Sequence, residues 1–387
     1  MIRQIENMLN NSLYIVFAFC LAAGLGAIIM PKILFISNKK KLFDLPNSRK
    51  VHDMPVPRLG GLSFFPEIII TCGFIVGLRY LLGLSINSAG PQDATMCKYL
   101  MLVVSMTILY LIGICDDLVG LSYKPKFLAQ LIAASLLASS GTWLNTLNGL
   151  FGIYDIPAYV GMPITIFLVI YITNAINLID GIDGLASGLC CIALGFLTII
   201  NVYHQQYYLA LLGASTFGVI VPFWVYNVFG NAKHGHKIFM GDTGSLTLGL
   251  VLSFLAINMS QNMTGRPNDV NYTMIIVFST IIVPVFDVVR VVFRRLINKK
   301  NPFLPDKNHF HHKLLRTGMR ARWVMITILL FSGFFIIINT LMTKSININI
   351  IVLIDIVVWV LFHCVVTHYG NKHRREKEAR EKETTTA

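Results

Sequence analysis

The sequence predicts an all-α, polytopic integral membrane protein. Three observations carry that expectation: 55% of the 387 residues are hydrophobic, only 13% are charged, and the mean hydropathy is +0.66. An ordinary soluble domain has about 25% charged residues. No internal repeat or linker divides the chain, so residues 1–370 read as one integral membrane domain, followed by a charged tail at 371–387.

Stretches near the roughly 20 apolar residues that a bilayer core requires fall at 13–35, 61–83, 98–115, 127–147, 160–178, 185–202, 207–229, 245–260, 271–293, 323–343 and 349–369. The first is longer than a signal-peptide core and its basic cluster follows it, so it reads as a retained span. The fourth is the weak one. Its apolar core, Phe127 to Ser140, is short unless Gly141 to Leu147 continues it. Charge decides in its favour. With eleven spans and the N-terminus outside, 27 of the 32 Lys and Arg fall in inner segments, whereas the outer segments hold Arg3, Arg266 and Lys344. The positive-inside rule then puts the C-terminus in the cytoplasm. The net charge of +13 follows from this clustering against anionic lipid, and no nucleic-acid partner is expected. The mixed-charge run from His373 to Glu383 is suited to extending the last helix into the cytoplasm. Seven cysteines lie in or beside apolar spans without a Cys-x-x-Cys, which makes them packing residues.

Five aspartates sit where such a chain tolerates them least, at inner ends of spans. A carboxylate buried at a membrane boundary costs several kcal/mol unless paired or metal-bound, so each is a candidate site residue. Asp116 and Asp117 close the third span, where the negative end of the helix dipole disfavours them. In Asn174-Ala-Ile-Asn177-Leu-Ile-Asp180-Gly-Ile-Asp183-Gly a polar residue recurs every three positions, which predicts one helical face carrying two amides and two carboxylates. Gly181 and Gly184 also permit a broken helix at that place. Phe239-Met-Gly-Asp242-Thr-Gly-Ser245 leads into the eighth span. Free N–H groups at that helix start suit a phosphate, and Asp242 suits a hard cation; a simple cap by Thr243 or Ser245 is the plainer reading. The loop Asp306-Lys-Asn-His309-Phe-His311-His312-Lys313 has no thiolate and no His-Glu-x-x-His spacing, which disfavours zinc. Its neighbouring cations favour contact with pyrophosphate.

These motifs, with Arg49-Lys50-Val-His52-Asp-Met-Pro-Val-Pro-Arg58-Leu-Gly-Gly in the first inner loop, resemble in order those of the polyprenyl-phosphate N-acetylhexosamine-1-phosphate transferases. The His309-Phe-His311-His312 run is similar to the His-x-His-His form of enzymes that start O-antigen, enterobacterial common antigen and teichoic acid synthesis. It departs from the form found in the translocase that takes the UDP-N-acetylmuramoyl-pentapeptide donor. The resemblance implies a multi-pass enzyme of the bacterial cytoplasmic membrane with its site facing the cytoplasm. It implies transfer of N-acetylhexosamine 1-phosphate from a UDP-sugar, N-acetylglucosamine before a 6-deoxy sugar, to undecaprenyl phosphate, with Mg2+ or Mn2+. Under it, Asp242 is the principal metal ligand with Asn177 and Asp116. Asp116, Asp117, Asp180, Asp183, His309, His311 and His312 are catalytic. Arg49, Lys50, His52, Arg58, Asn174, Asn177, Lys237 and Phe239 bind substrate, Phe239 by stacking on uracil. A phosphate monoester has a second pKa of about 6, so the acceptor needs little help from a base. The Asp116-Asp117 pair therefore reads as an organiser of the metal, Lys237 or the acceptor. The competing class is an ion-coupled transporter, whose carboxylates belong near the bilayer midplane. Oligomeric state is not legible in the sequence; a homodimer stays open.

Overall fold

The computed structural model describes residues 2–43, 55–84, 92–261, 270–299 and 308–386. Thirteen helices are described: α1 (Ile2–Lys40), α2 (Phe64–Leu81), α3 (Gln92–Val119), α4 (Tyr123–Ser139), α5 (Ala158–Ile179), α6 (Leu185–Tyr203), α7 (Tyr207–Phe229), α8 (Gly241–Gln261), α9 (Val270–Ser279), α10 (Ile282–Ile297), α11 (Phe310–Leu315), α12 (Ala321–Met342) and α13 (Ile348–Thr386). Among the described residues, nine stretches are long and apolar enough to cross a membrane, and α9 with α10 makes a tenth if the bent pair is one span and not a re-entrant loop.

The bundle is built around α8. Every residue from Gly241 to Ser260 is buried, and the helix packs on α3 and α5. Small residues make this possible, as they do between membrane helices generally. A Cβ at Gly61 would overlap the Gly244 backbone, and one at Gly249 would stand 2.6 Å from the Cα of Thr173. The hydroxyls of Ser245, Thr247 and Ser253 donate to their own helix four residues back, at 3.1, 2.7 and 2.7 Å. No orphan polar group results from putting them in the core.

Three expectations need correction. The fourth span does not continue through Gly141 to Leu147. It ends at Ser139, with Gly141 at φ +89°, and starts earlier, at Tyr123. Its 17 residues make roughly 26 Å of helix at 1.5 Å each, so α4 is not among the stretches long and apolar enough to cross a membrane, and Lys124 and Lys126 stand in its first turns rather than in a loop. The span at 271–293 is not one straight helix but bends by 73° between α9 and α10. Pro284 explains the bend, since it has no N–H to offer the Thr280 carbonyl and its ring crowds that turn. The third correction concerns the regular polar face. α5 stops at Ile179, so Asn174 and Asn177 are helical while Asp180 and Asp183 lie in the turn before α6. The charged tail does extend the last helix, and α13 runs unbroken to Thr386.

Candidate active site

The site grows from the N-terminus of α8. Gly241 begins that helix at φ +75°, and a side chain there would strike the Arg58 carbonyl and the Asp117 carboxylate. Only glycine meets both demands. Asp117 ends α3 pointing across to this helix start. Its Oδ1 accepts from the Asp242 N–H at 2.8 Å, and its Oδ2 accepts from the Thr243 N–H at 2.9 Å and the Thr243 hydroxyl at 2.6 Å. The carboxylate disfavoured by its own helix dipole is thus held by the positive end of another. The N–H groups expected to be free for phosphate are therefore already taken. Thr243 receives its partner from α3 instead of capping α8 itself.

Asp242 projects from the first turn of α8 between two cations. Arg58 Nη2 lies 3.2 Å from its Oδ1, and Lys126 Nζ lies 2.8 Å from its Oδ2 and 3.2 Å from Asp116 Oδ2. Arg58 is delivered by a segment running beside residues 239–240: the Phe239 N–H donates to the Pro57 carbonyl at 2.8 Å, and the Gly60 and Gly61 N–H groups donate to the carbonyls of Phe239 and Met240 at 2.9 and 2.8 Å. Asp116 also accepts from the Leu121 N–H at 2.7 Å, which fixes the end of α3. Asp116, Asp117 and Asp242 each bring an oxygen to within 4.8 Å of the others. Among the described residues three carboxylates outnumber the two cations touching them, and an all-oxygen donor set fits a hard divalent cation. Asn177 borders this cluster, its Nδ2 donating at 2.8 Å to Ser245 Oγ, which in turn donates to the Gly241 carbonyl.

The α5–α6 turn forms the next wall. Burial pushes the Asp180 carboxyl up to about 7, with Arg58 drawing it down and Asp242, Asp183 and Asp117 adding to the rise. Asp183 is ion-paired with Lys237, so Lys237 answers this turn and not the Asp116-Asp117 pair. Gly184 donates its N–H to Asn227 Oδ1, and Asn227 Nδ2 donates to the Ile238 carbonyl at 2.8 Å, tying the turn to the segment before α8.

The histidines reach the same turn from α11. A Cβ at Gly181 would run into the His311 ring, which places the Nε2 end of that imidazole against the Asp180–Asp183 turn. Burial, with His312 beside it, lowers His311 to about 3, and its buried Nδ1 has no hydrogen-bond partner among the described residues. His309 is buried with Nδ1 2.9 Å from Asp287 Oδ2. His312 stands next to His311, ring centroids 4.2 Å apart.

Asn174 is placed elsewhere, and four expected residues lie outside the described part of the chain. Asn174 turns to α4 and exchanges hydrogen bonds with Gln130 at 2.6 and 3.4 Å. Arg49, Lys50 and His52 lie outside the described residues, as does Asp306. Lys126, Asn227 and Asp287 were not singled out by the sequence reading. For Lys126 a signal existed: a Lys-Pro-Lys just after the Asp116-Asp117 pair, with Pro125 in the first helical turn, where proline is accepted.

Residues 99–260 match the family described as Glycosyl transferase family 4. A Bacillus subtilis (strain 168) protein described as a probable undecaprenyl-phosphate N-acetylglucosaminyl 1-phosphate transferase is 33% identical over 86% of this chain and 85% of its own length. The chain belongs to glycosyl transferase family 4. Undecaprenyl-phosphate alpha-N-acetylglucosaminyl 1-phosphate transferases are similar as well: the Yersinia pestis protein is 28% identical over 84% of this chain and 82% of its own length, and that of Escherichia coli (strain K12) 29% over 76% and 75%. The matched part of this family 4 transferase runs from α3 through α8, so it holds the three-carboxylate cluster and the α5–α6 turn. The histidine turn on α11 follows it in the chain.

Proposed function

We propose that this family 4 transferase moves N-acetylglucosamine 1-phosphate from UDP-N-acetylglucosamine to undecaprenyl phosphate and releases UMP, the first membrane step of a cell-surface polysaccharide. An acceptor phosphate oxygen attacks the sugar-bearing β-phosphorus, the bond from that phosphorus to the α–β bridging oxygen breaks, and UMP leaves with the electron pair. The observation that carries this reading is the cluster of Asp116, Asp117 and Asp242 at helix ends, with Lys126 and Arg58 against it. Bringing a dianionic acceptor to a diphosphate donor requires concentrated positive charge. Asp242, Asp116 and Asn177 would hold Mg2+, or Mn2+ in its place, which supplies charge neutralisation across the donor phosphates.

The residues divide the remaining work. Asp117 positions Asp242 through the α8 N-terminus, and its oxygens are committed there. Arg58 and Lys126 are long-chained cations suited to turn from carboxylate to phosphate. Lys237 is steadied by Asp183, while Asp180 and His311 line the turn where the diphosphate lies. His311 presents the Nε2 end of its ring at this turn, and His309 and His312 flank it. Arg49, Lys50 and His52 are substrate-binding residues by the family resemblance, and Phe239 stacks on uracil. Residues 1–370 form the transferase unit and 371–387 a cytoplasmic tail. The site faces the cytoplasm of the bacterial inner membrane, where UDP-sugars are made. The test is purified protein with undecaprenyl phosphate, Mg2+ and a panel of UDP-sugars. UMP release with UDP-N-acetylglucosamine is expected; release only with a 6-deoxy sugar or with UDP-N-acetylmuramoyl-pentapeptide would reassign the donor.

A further inference from the structure

Asp287 is buried in α10, one turn beyond the Pro284 bend, with 1% of its surface exposed. A carboxylate so placed is strongly destabilising unless every lone pair in reach has a donor. Three donors converge on it. Arg290 Nη2 and the Phe310 N–H reach Oδ1 at 2.7 and 2.9 Å, and His309 Nδ1 reaches Oδ2 at 2.9 Å. Arg290 donates in addition to the Asn308 carbonyl. Three consecutive residues, 308 to 310, are thereby gripped by one turn of α10.

The depth of the same turn is set from the other side. Phe310, between His309 and His311, is fully buried, with ring centroids 5.4 Å from Trp359, 5.6 Å from Phe362 and 4.7 Å from His363. The aromatic pocket fixes how far the turn inserts, and among the described residues the His309 ring, parallel to that of His311 with centroids 6.0 Å apart, has its hydrogen bond with Asp287. A carboxylate accepts and does not donate, so the proton must sit on Nδ1, and Nε2 is the nitrogen left for a ligand. Carboxylate partners of functional histidines fix tautomer and ring orientation in this way.

We infer that Asp287 is a positioning residue of the transfer reaction, acting through His309 to present the His309–His312 turn to the Asp180–Asp183 turn. The inference rests on the transferase reading for its kinetic consequence but not for its spectroscopic one. Two measurements test it. In protein labelled with 15N-histidine, the His309 resonances, identified by their loss in His309→Gln, are expected to show a protonated Nδ1. A bare Nδ1 in the parent protein would overturn the inference without any Asp287 variant having to fold. In the second, Asp287→Asn lowers kcat by about 10- to 100-fold, the range seen when the partner of a functional imidazole is lost. In a His309→Ala background the same substitution changes kcat by less than about threefold, because coupled residues are not additive. An equal fold-loss in both backgrounds would mean that Asp287 supports the fold only, and the inference fails. Absence of transfer in the parent protein would instead fail the transferase reading and leave the spectroscopic result standing.

Discussion

Two sets of buried carboxylates in this molecule meet the same problem differently. At the helix ends, Asp116, Asp117 and Asp242 are crowded together, yet each faces a cation or the N-terminus of α8. Within the spans, Glu67 in α2 has no hydrogen bond to either carboxylate oxygen among the described residues, and Asp355 in α13 takes one from the Asn339 amide at 3.0 Å. Among the described residues no cation pairs with either. Concentrated, compensated charge is what phosphoryl transfer requires. Isolated polar groups inside a span, with nothing to exchange protons or ions with, are a poor transport path. The contrast is why the transferase reading is preferred over an ion-coupled transporter.

The strongest way to break that contrast is at Asp242. Asp242→Asn keeps the shape and removes the charge between Arg58 and Lys126, so transfer should fall by about 1000-fold or more, the scale of losing electrostatic stabilisation at a reacting centre, while the variant still purifies as folded protein. Full activity at ordinary Mg2+ would remove Asp242 from the site. Asp117→Asn comes next. An amide turned toward the α8 N–H groups cannot satisfy them all, and a loss of about 100-fold, the loss of one or two charge-assisted hydrogen bonds, should persist at pH 8 to 9. A true base would be bypassed there by the fully dianionic acceptor, so recovery to within a few fold would show that Asp117 removes a proton.

A smaller effect should appear in stability. Because folding holds His311 at about 3 against 6.5 in solution, the unfolded chain takes up the extra proton as pH falls from about 6.5 toward 3, and stability is lost across that window. Thermal unfolding of the detergent-solubilised protein should therefore shift to lower temperature between pH 7 and pH 4, and less so in His311→Gln. An equal shift in both proteins would place the acid lability elsewhere. The smallest effect is expected at Glu67→Gln, which should leave transfer within about threefold of the parent, since a neutral isostere suits an unpaired buried position at least as well. A loss comparable to that of Asp242→Asn would make Glu67 part of the chemistry.

The spans were legible because hydropathy and the Lys/Arg distribution are one-dimensional signals, and the ends of the site were legible because aspartates are rare beside apolar stretches. Contacts made across the bundle were not. Lys126 looked like one more cytoplasmic cation until α4 proved to start at Tyr123. The three-residue spacing from Asn174 to Asp183 looked helical throughout, but the glycines that allow a break mark where one occurs. Asp287 stood out only as an aspartate inside the 271–293 span, and its role was not legible, because two of its three partners are 22 and 23 residues away, at His309 and Phe310, on the far side of a loop. Asp117 was legible as functional, yet its role depends on the direction of a helix that it meets 125 residues later.

The central claim is that a helix-end carboxylate cluster exchanges one phosphoanhydride for another. One such bond is broken in the UDP-sugar and one is formed in the lipid product, so the equilibrium constant should lie within about an order of magnitude of unity, a gap of roughly 1.4 kcal/mol. Radiolabelled UMP incubated with the enzyme, the lipid product and Mg2+ should therefore appear in UDP-N-acetylglucosamine, and the exchange should vanish without the polyprenyl carrier or in Asp242→Asn. Absence of exchange under conditions that support forward UMP release would point to hydrolysis and contradict the account.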